Sequence, residues 1–330
     1  MNKSTNQDSP DSISFANFRH DAETNHNIKF LEKLSELPII NRKEKSRMAI
    51  ISSRTSSNPA LFNDAIGNGC NTIYLEKPGA PTTIQLILMR DESLANEVGV
   101  FLGYNKNVTP YVTNAISKFR DIKETKEKII TFVHNNNVPD TPEGLGECFE
   151  TNSEGLLKNM LIHELAILAT YFKIKAVDIE TGKTKVIFDK NKTKYLTLKG
   201  PSTGKNFTDF KEIWFNIISP SGEEIRIGGN RCGGTVSFAS IKSPKSSKDE
   251  LARFECPSKE DLKDFNQKVK QLPKAKSYFL SQDKDYEVLK NRISFYSAEG
   301  VLPEGGVGID GGIEAMKIAE ELVKSYGKVK

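Results

Sequence analysis

Between Arg47 and Asn105 the chain alternates twice between short apolar runs and amphipathic ones. "RMAIISS" (47–53) reads as a buried strand, "NPALFNDAIGNG" (58–69) as a helix with a proline at its start and a glycine stop, and "NTIYLEK" (71–77) as a second strand. "TTIQLILMRDESLANEVG" (82–99), with Thr82 as cap, is a further helix, and "GVFLGYN" (99–105) a third strand. Strand, helix, strand, helix, strand at this spacing predicts parallel βαβ units. A parallel sheet binds ligands beyond the C-terminal ends of its strands. Ser52-Ser53, Lys77 and Tyr104-Asn105 stand at those ends.

The pattern changes after residue 106. "KIITFVH" (128–134) is a strand, 154–172 a helix, and strand-like runs follow at 184–188, 194–199, 211–218, 223–228, 233–241 and 250–256. The "SPSG" turn (219–222) marks a hairpin, and strands joined by short turns predict an antiparallel sheet. A last helix, 312–327, carries Ile313, Met316, Ala319, Leu322 and Val323 at helical spacing. Upstream, residues 1–11 are expected to be disordered, "SISFANF" (12–18) alternates like a strand, and a helix is expected around 22–36. The expected organisation is a disordered 1–11, a parallel-sheet α/β domain over 12–106, and an α+β domain over 107–330.

A length of 330 residues suits two domains, and 37% hydrophobic residues suffice for ordinary cores. A net charge of +4 on 47 basic and 43 acidic residues gives no reason to expect nucleic acid. No apolar stretch is long enough to span a bilayer, and the polar start has no signal-peptide core, so a cytoplasmic location is expected. Cys70, Cys148, Cys232 and Cys256 are far apart and form no CxxC pair, which argues against a zinc site or a disulfide framework. His20, His26 and His134 lack metal-ligand spacing and read as solvated or packing residues.

A dinucleotide in a parallel sheet is normally held by a glycine loop after the first strand. The one formal match, Gly306-Val307-Gly308-Ile309-Asp310-Gly311, follows no strand and precedes only one helix. It reads as a flexible loop. Upstream of residue 47 there is no glycine, so the glycine-loop unit is expected to be missing and the Rossmann domain N-terminally incomplete. Asp21 follows the 12–18 segment where such folds place a ribose-binding acid, with a helix N-cap as the alternative.

"IYLEKPGA" (73–80) and "GYNKNVTP" (103–110), with "EGLLKNMLIHELAILATYF" (154–172) and "QDKDYEVLKNRI" followed by "GIEAMKIAEEL", resemble the Gfo/Idh/MocA family of glucose–fructose oxidoreductase and inositol dehydrogenase. The similarity runs from about Arg47 to Gly327. The resemblance implies a Rossmann domain with an open antiparallel sheet domain, NAD or NADP as cofactor, and hydride transfer on a sugar, sugar derivative or cyclitol. It implies Lys77 and His163 as catalytic residues, and Asn159 where the family has aspartate. Ser53, Glu76, Lys77 and Asp21 are the expected cofactor contacts. Tyr104, Asn105 and Lys106 are the expected substrate contacts. Asn159 and His163 at i and i+4 are expected to share one helix face. A homo-oligomer through the exposed sheet face around 211–241 is expected as well. The alternatives are a non-catalytic sugar-binding relative that lacks the cofactor loop, and a truncated gene product.

Overall fold

The computed structural model describes residues 10–26, 28–31, 36–39, 46–122, 128–243, 250–271, 277–299 and 302–329. Three strands, β1 (Met48–Ile51), β2 (Thr72–Leu75) and β3 (Gly99–Leu102), form one parallel sheet in the order β1-β2-β3. Its registers pair Met48 with Thr72 and Thr72 with Gly99. All four residues of β2 are buried, as a central parallel strand covered on both faces requires. The helix α2 (Asn58–Gly67) returns the chain from β1 to β2, with Pro59 in its first turn. The helix α3 (Thr83–Ala95) returns it from β2 to β3. Thr82 Oγ1 accepts the Gln85 amide at 3.2 Å, the expected N-cap.

Upstream of the sheet lies α1 (Pro10–Asn25), a helix where an alternating strand was expected over 12–18. Seven alternating residues make a strand only beside an edge that accepts their backbone hydrogen bonds, and this segment belongs to neither sheet. The expected helix at 22–36 reduces to the end of α1, with 27 and 32–35 outside the described residues. Residues 1–9 of the expected disordered segment also lie outside them, while Pro10 and Asp11 begin α1.

Among the helices beyond the expected elements are α4 (Pro110–Asp121) and α5 (Pro142–Thr151). Each starts on a Thr-Pro pair, a cap followed by a proline whose missing N–H costs nothing in the first turn. β4 (Ile129–Asn135) is central in the second sheet. The expected continuous helix over 154–172 is broken into α6 (Leu156–Asn159) and α7 (Ile162–Tyr171). After α8 (Ala176–Glu180) come β5 (Lys185–Phe188), β6 (Lys194–Lys199), β7 (Asn206–Ile218), β8 (Glu224–Asn230), β9 (Ser237–Lys242) and β10 (Glu250–Cys256). The chain closes with α9 (Lys259–Gln271), α10 (Ser277–Glu299) and α11 (Ile309–Val329).

The second sheet has the order β10-β9-β4-β8-β7-β5, with β6 on the first half of β7. Its pairings are antiparallel except β4 with β8, which run parallel. Ile213, Phe215 and Ile217 of β7 alternate into the core with Ile225 and Ile227 of β8, all 1% exposed or less. Leu157, Leu161, Leu165 and Leu168 are buried against them, as their spacing requires. Gly229 lets α7 approach, since a Cβ there would meet Leu161 Cδ1 at 2.8 Å.

The helix α11 packs on α7 and α8 and also on α3 and β3, so the C-terminal segment ties the second sheet to the first. The segment before it is bonded along the edge of β3, with Leu102 N donating to Val307 O at 2.9 Å and Phe101 bridged to Gly308. The glycines of 306–311 therefore serve a strand-edge contact, and the flexible loop expected there is replaced by an ordered pairing.

Candidate active site

The turn after β2 presents Glu76 and Lys77, both half-buried. Lys77 Nζ donates to the backbone carbonyl of Asn159 at 3.0 Å. In an unbroken helix that carbonyl would face the amide of residue 163; the break between α6 and α7 turns it to the lysine instead. Burial lowers the Lys77 pKa, against the attraction of Glu76, and nearby Lys106 lowers it further. His163, in the first turn of α7, is 4% exposed, and burial followed by the charges of Lys77 and Lys106 holds its pKa well below 6.5. Its imidazole is therefore neutral near neutral pH.

Beyond β3, Tyr104 and Asn105 are buried at 0% and 1% exposure, and the Tyr104 ring meets His163 edge-on at 5.9 Å. Tyr104 Oη, both amide atoms of Asn105 and His163 Nδ1 are buried without a hydrogen-bond partner. Each such group costs about 1–3 kcal/mol when desolvated and unpaired. Several within one neighbourhood mark a place where a polar molecule would restore the missing bonds.

Lys106 is placed differently from a substrate ligand. Its Nζ lies 2.8 Å from Glu164 Oε1, and both side chains are buried. His134 Nδ1 lies 3.4 Å from the other oxygen of Glu164. Burial alone would raise the Glu164 pKa, but Lys106 and His134 outweigh it and bring it down to about 2. Burial and Lys106 lower the pKa of His134, so near neutral pH this buried packing residue meets Glu164 as a neutral hydrogen-bonding partner beside the Lys106–Glu164 ion pair. Glu164 was the residue to notice, an acid inside the apolar run "LIHELAIL".

Glu76 is held by two tyrosines of the protein itself, Tyr74 Oη at 3.3 Å and Tyr286 Oη of α10 at 3.2 Å. Its pKa is raised, chiefly by burial. Ser53 is exposed after β1 and donates to Asn58 Oδ1 at 2.8 Å. Asp21 follows no strand; it is an exposed residue of α1, bonded to Asn25 at 2.7 Å. The strand-end rationale for Asp21 as a ribose ligand therefore fails. Asn159 is half-buried at the end of α6, so the shared helix face expected of Asn159 and His163 is divided between two helices. The space beside Gly155 is taken by Asp209, whose carboxylate caps the Leu156 amide at 2.9 Å and pairs with the buried Arg231.

The exits of the three parallel strands do not form a cradle for a pyrophosphate. The turn after β1, residues 52–57, contains no glycine. After β2, a Cβ on Gly79 would meet Leu102 Cδ2 at 2.8 Å. After β3, a Cβ on Gly103 would collide with the Tyr74 hydroxyl. The spaces these glycines leave open are filled by the protein's own side chains. Among the described residues, the parts that hold the phosphates of NAD or NADP by loop amides do not fit that group.

The fold and this polar cluster together define the class: a Rossmann-like parallel sheet joined to a mixed, largely antiparallel sheet, with a lysine at the exit of β2 whose charge reaches a buried histidine at the start of α7. No family model matches the sequence, and no curated protein matches it. Solved structures do. Myo-inositol 2-dehydrogenase from Lactobacillus plantarum aligns with a TM-score of 0.62 at 14% identity, over 96% of this chain and 88% of that one. Aldose-aldose oxidoreductase from Caulobacter crescentus, complexed with glycerol, aligns at 0.55 and 16%, over 86% and 78%. An oxidoreductase from Agrobacterium radiobacter in complex with NAD+, L-tartaric acid and magnesium aligns at 0.56 and 9%, over 85% and 78%. The chain shares the fold of the Gfo/Idh/MocA dehydrogenases, and at these identities the likeness is one of fold.

Proposed function

We propose that the chain is an oxidoreductase of the sugar and cyclitol class, acting on a hydroxyl of a polyhydroxylated small molecule bound beyond β2 and β3. The observation that carries this reading is the cluster of buried, unpartnered polar atoms on Tyr104, Asn105 and His163 near the amine of Lys77. A polyol offers a donor and an acceptor at every hydroxyl, which is what an amide, a phenol and an imidazole can satisfy together. The shared fold with structures titled as inositol dehydrogenase and aldose oxidoreductase supports the same substrate class.

In this reading Lys77, its proton affinity lowered by burial, exchanges the proton of the reacting hydroxyl. Neutral His163 accepts a hydrogen bond from that hydroxyl or its neighbour and fixes the sugar ring. Tyr104, Asn105 and Asn159 orient the remaining hydroxyls. Lys106 positions α7 through Glu164 and does not touch the substrate. NAD or NADP is the electron carrier that the resemblance implies. Because the described strand exits do not fit its pyrophosphate, no step is assigned to it, and Ser53 and Glu76 remain proposed contacts only. The division into a Rossmann-like part over 12–106 and a substrate part over 107–330 belongs to this proposal.

A second reading, a non-catalytic polyol-binding relative, is favoured by the hold of Tyr286 on Glu76 and by the filled glycine positions. One experiment separates them. The purified chain is titrated with myo-inositol and glucose by calorimetry, and reduction of NAD and NADP is followed at the same time. Turnover that Lys77→Met abolishes, in a variant with unchanged melting temperature, supports the enzyme. Polyol binding with no turnover supports the binding protein. Lys77→Met with unchanged turnover removes Lys77 from the site.

A further inference from the structure

A cavity of about 660 Å³ opens between the start of α4, the end of β10, the first turn of α9 and α10. Its volume is that of a small-molecule site. Asp285 of α10 lines it and is only 7% exposed. No described residue gives this carboxylate a hydrogen bond or an ion pair. The two cations in the wall are engaged elsewhere: Lys284 pairs with Asp264 at 3.2 Å, and Arg292 Nη1 donates to the Glu304 carbonyl at 2.6 Å. Asp261 stands beside the cavity with one oxygen committed, accepting the Ser258 amide at 2.9 Å in the cap of α9.

A buried charge without a partner is among the costliest groups a fold can carry. We propose that this cavity binds a small aliphatic ammonium ligand, with Asp285 as its counter-ion and Asp261 as a second acceptor. An ammonium offers three donors to carboxylate oxygens. The apolar part of the wall, Val108, Tyr111 and Val288, suits the methylenes of such a ligand. A bare metal ion fits less well, since among the described residues no group of three or more His, Cys, Asp or Glu is placed to hold one.

Protonation supports the assignment. Burial, and then the charge of Asp261, push the Asp285 pKa up to about 7. The charged groups around it are Glu255 of β10, Glu260 and Asp261 of α9, and Lys284 and Arg292 of α10; α4 contributes none to the wall. A cation stabilises the ionised carboxylate. Binding near pH 7 therefore releases a proton, and affinity falls as pH drops below 7. Between pH 8 and pH 6 the ionised fraction of such a group falls about tenfold.

The test titrates the full chain with 1,4-diaminobutane by calorimetry at pH 8 and pH 6, against sodium chloride at equal ionic strength. The expected result is one saturable site, weakened about tenfold at pH 6 and at least tenfold by Asp285→Asn at pH 8. Asp261→Asn is expected to weaken it less. Asp285→Asn removes an unpaired buried acid, so it is expected to melt no lower than the parent chain; should it fail to fold, the pH dependence and Asp261→Asn decide. No saturable heat with the parent chain overturns the proposal. So does equal affinity for folded Asp285→Asn, or a melting shift produced by calcium chloride and not by the diamine.

Discussion

Glu164 holds two buried bases at once, Lys106 at 2.8 Å and His134 at 3.4 Å. Removing one member of a buried ionic network leaves uncompensated charge behind, at about 3–5 kcal/mol. Glu164→Gln is therefore expected to lower stability by about that amount, and the double replacement Lys106→Met with Glu164→Leu by clearly less. Urea unfolding measures both. The pH dependence has a definite sign. The folded pKa of Glu164, about 2, lies below its ordinary 4.5, so its stabilising contribution is complete above pH 4.5 and is lost as pH falls toward 2. His134 is also depressed, below 6.5, so the unfolded chain takes up its proton first and stability falls as pH drops below 6.5. Asp285, raised to about 7, acts in the opposite sense, so the check is a difference: the gap between the urea midpoints of the parent chain and Glu164→Gln should be full above pH 4.5 and close as pH falls toward 2.

At the scale of elements, the contact of α11 with β3 depends on Gly312. A Cβ there would collide with Leu102 Cδ1, a fully buried side chain. Overpacking a filled core costs about 1–3 kcal/mol. Gly327 lies in the same helix with nothing within 4 Å of a would-be Cβ. Gly312→Ala should therefore lower the melting temperature, while Gly327→Ala should raise stability by about 0.5–1 kcal/mol through helix propensity alone. Opposite shifts from one substitution in one helix check the packing directly. No described helix is long and apolar enough to cross a membrane.

The whole molecule poses the question of cofactor affinity. Each charge-assisted hydrogen bond that loop amides would give a pyrophosphate is worth roughly 1.5–3 kcal/mol. Without two or three of them, binding weakens by about a hundredfold or more, and NAD(H) or NADP(H) is expected to bind no tighter than about millimolar. Calorimetry checks this; a micromolar constant would mean that other residues hold the phosphates. The outer face of the second sheet carries Glu212, Trp214, Asn216 and Arg226, linked in part by Trp214 to Glu212 at 2.8 Å and Arg226 to Asn216 at 2.8 Å. We propose that this face joins copies of the chain, and light scattering at micromolar concentration is expected to show a dimer or tetramer.

The βαβαβ run, the hairpin at 219–222 and the final helix were legible because each rests on local periodicity and turn chemistry within a dozen residues. Lys77 and His163 could be singled out by position and by resemblance. Their relation could not. The helix break that turns the Asn159 carbonyl to Lys77, the hold of Tyr286 on Glu76 across 210 positions, and the seating of Lys106 on Glu164 all join residues distant in the chain. Alternation at 12–18 misled because a strand needs an edge to pair with, and no local pattern says whether one is there. Periodicity encodes which face of an element is buried; which charged groups then meet, and how far burial moves their proton affinities, is decided by how the elements pack.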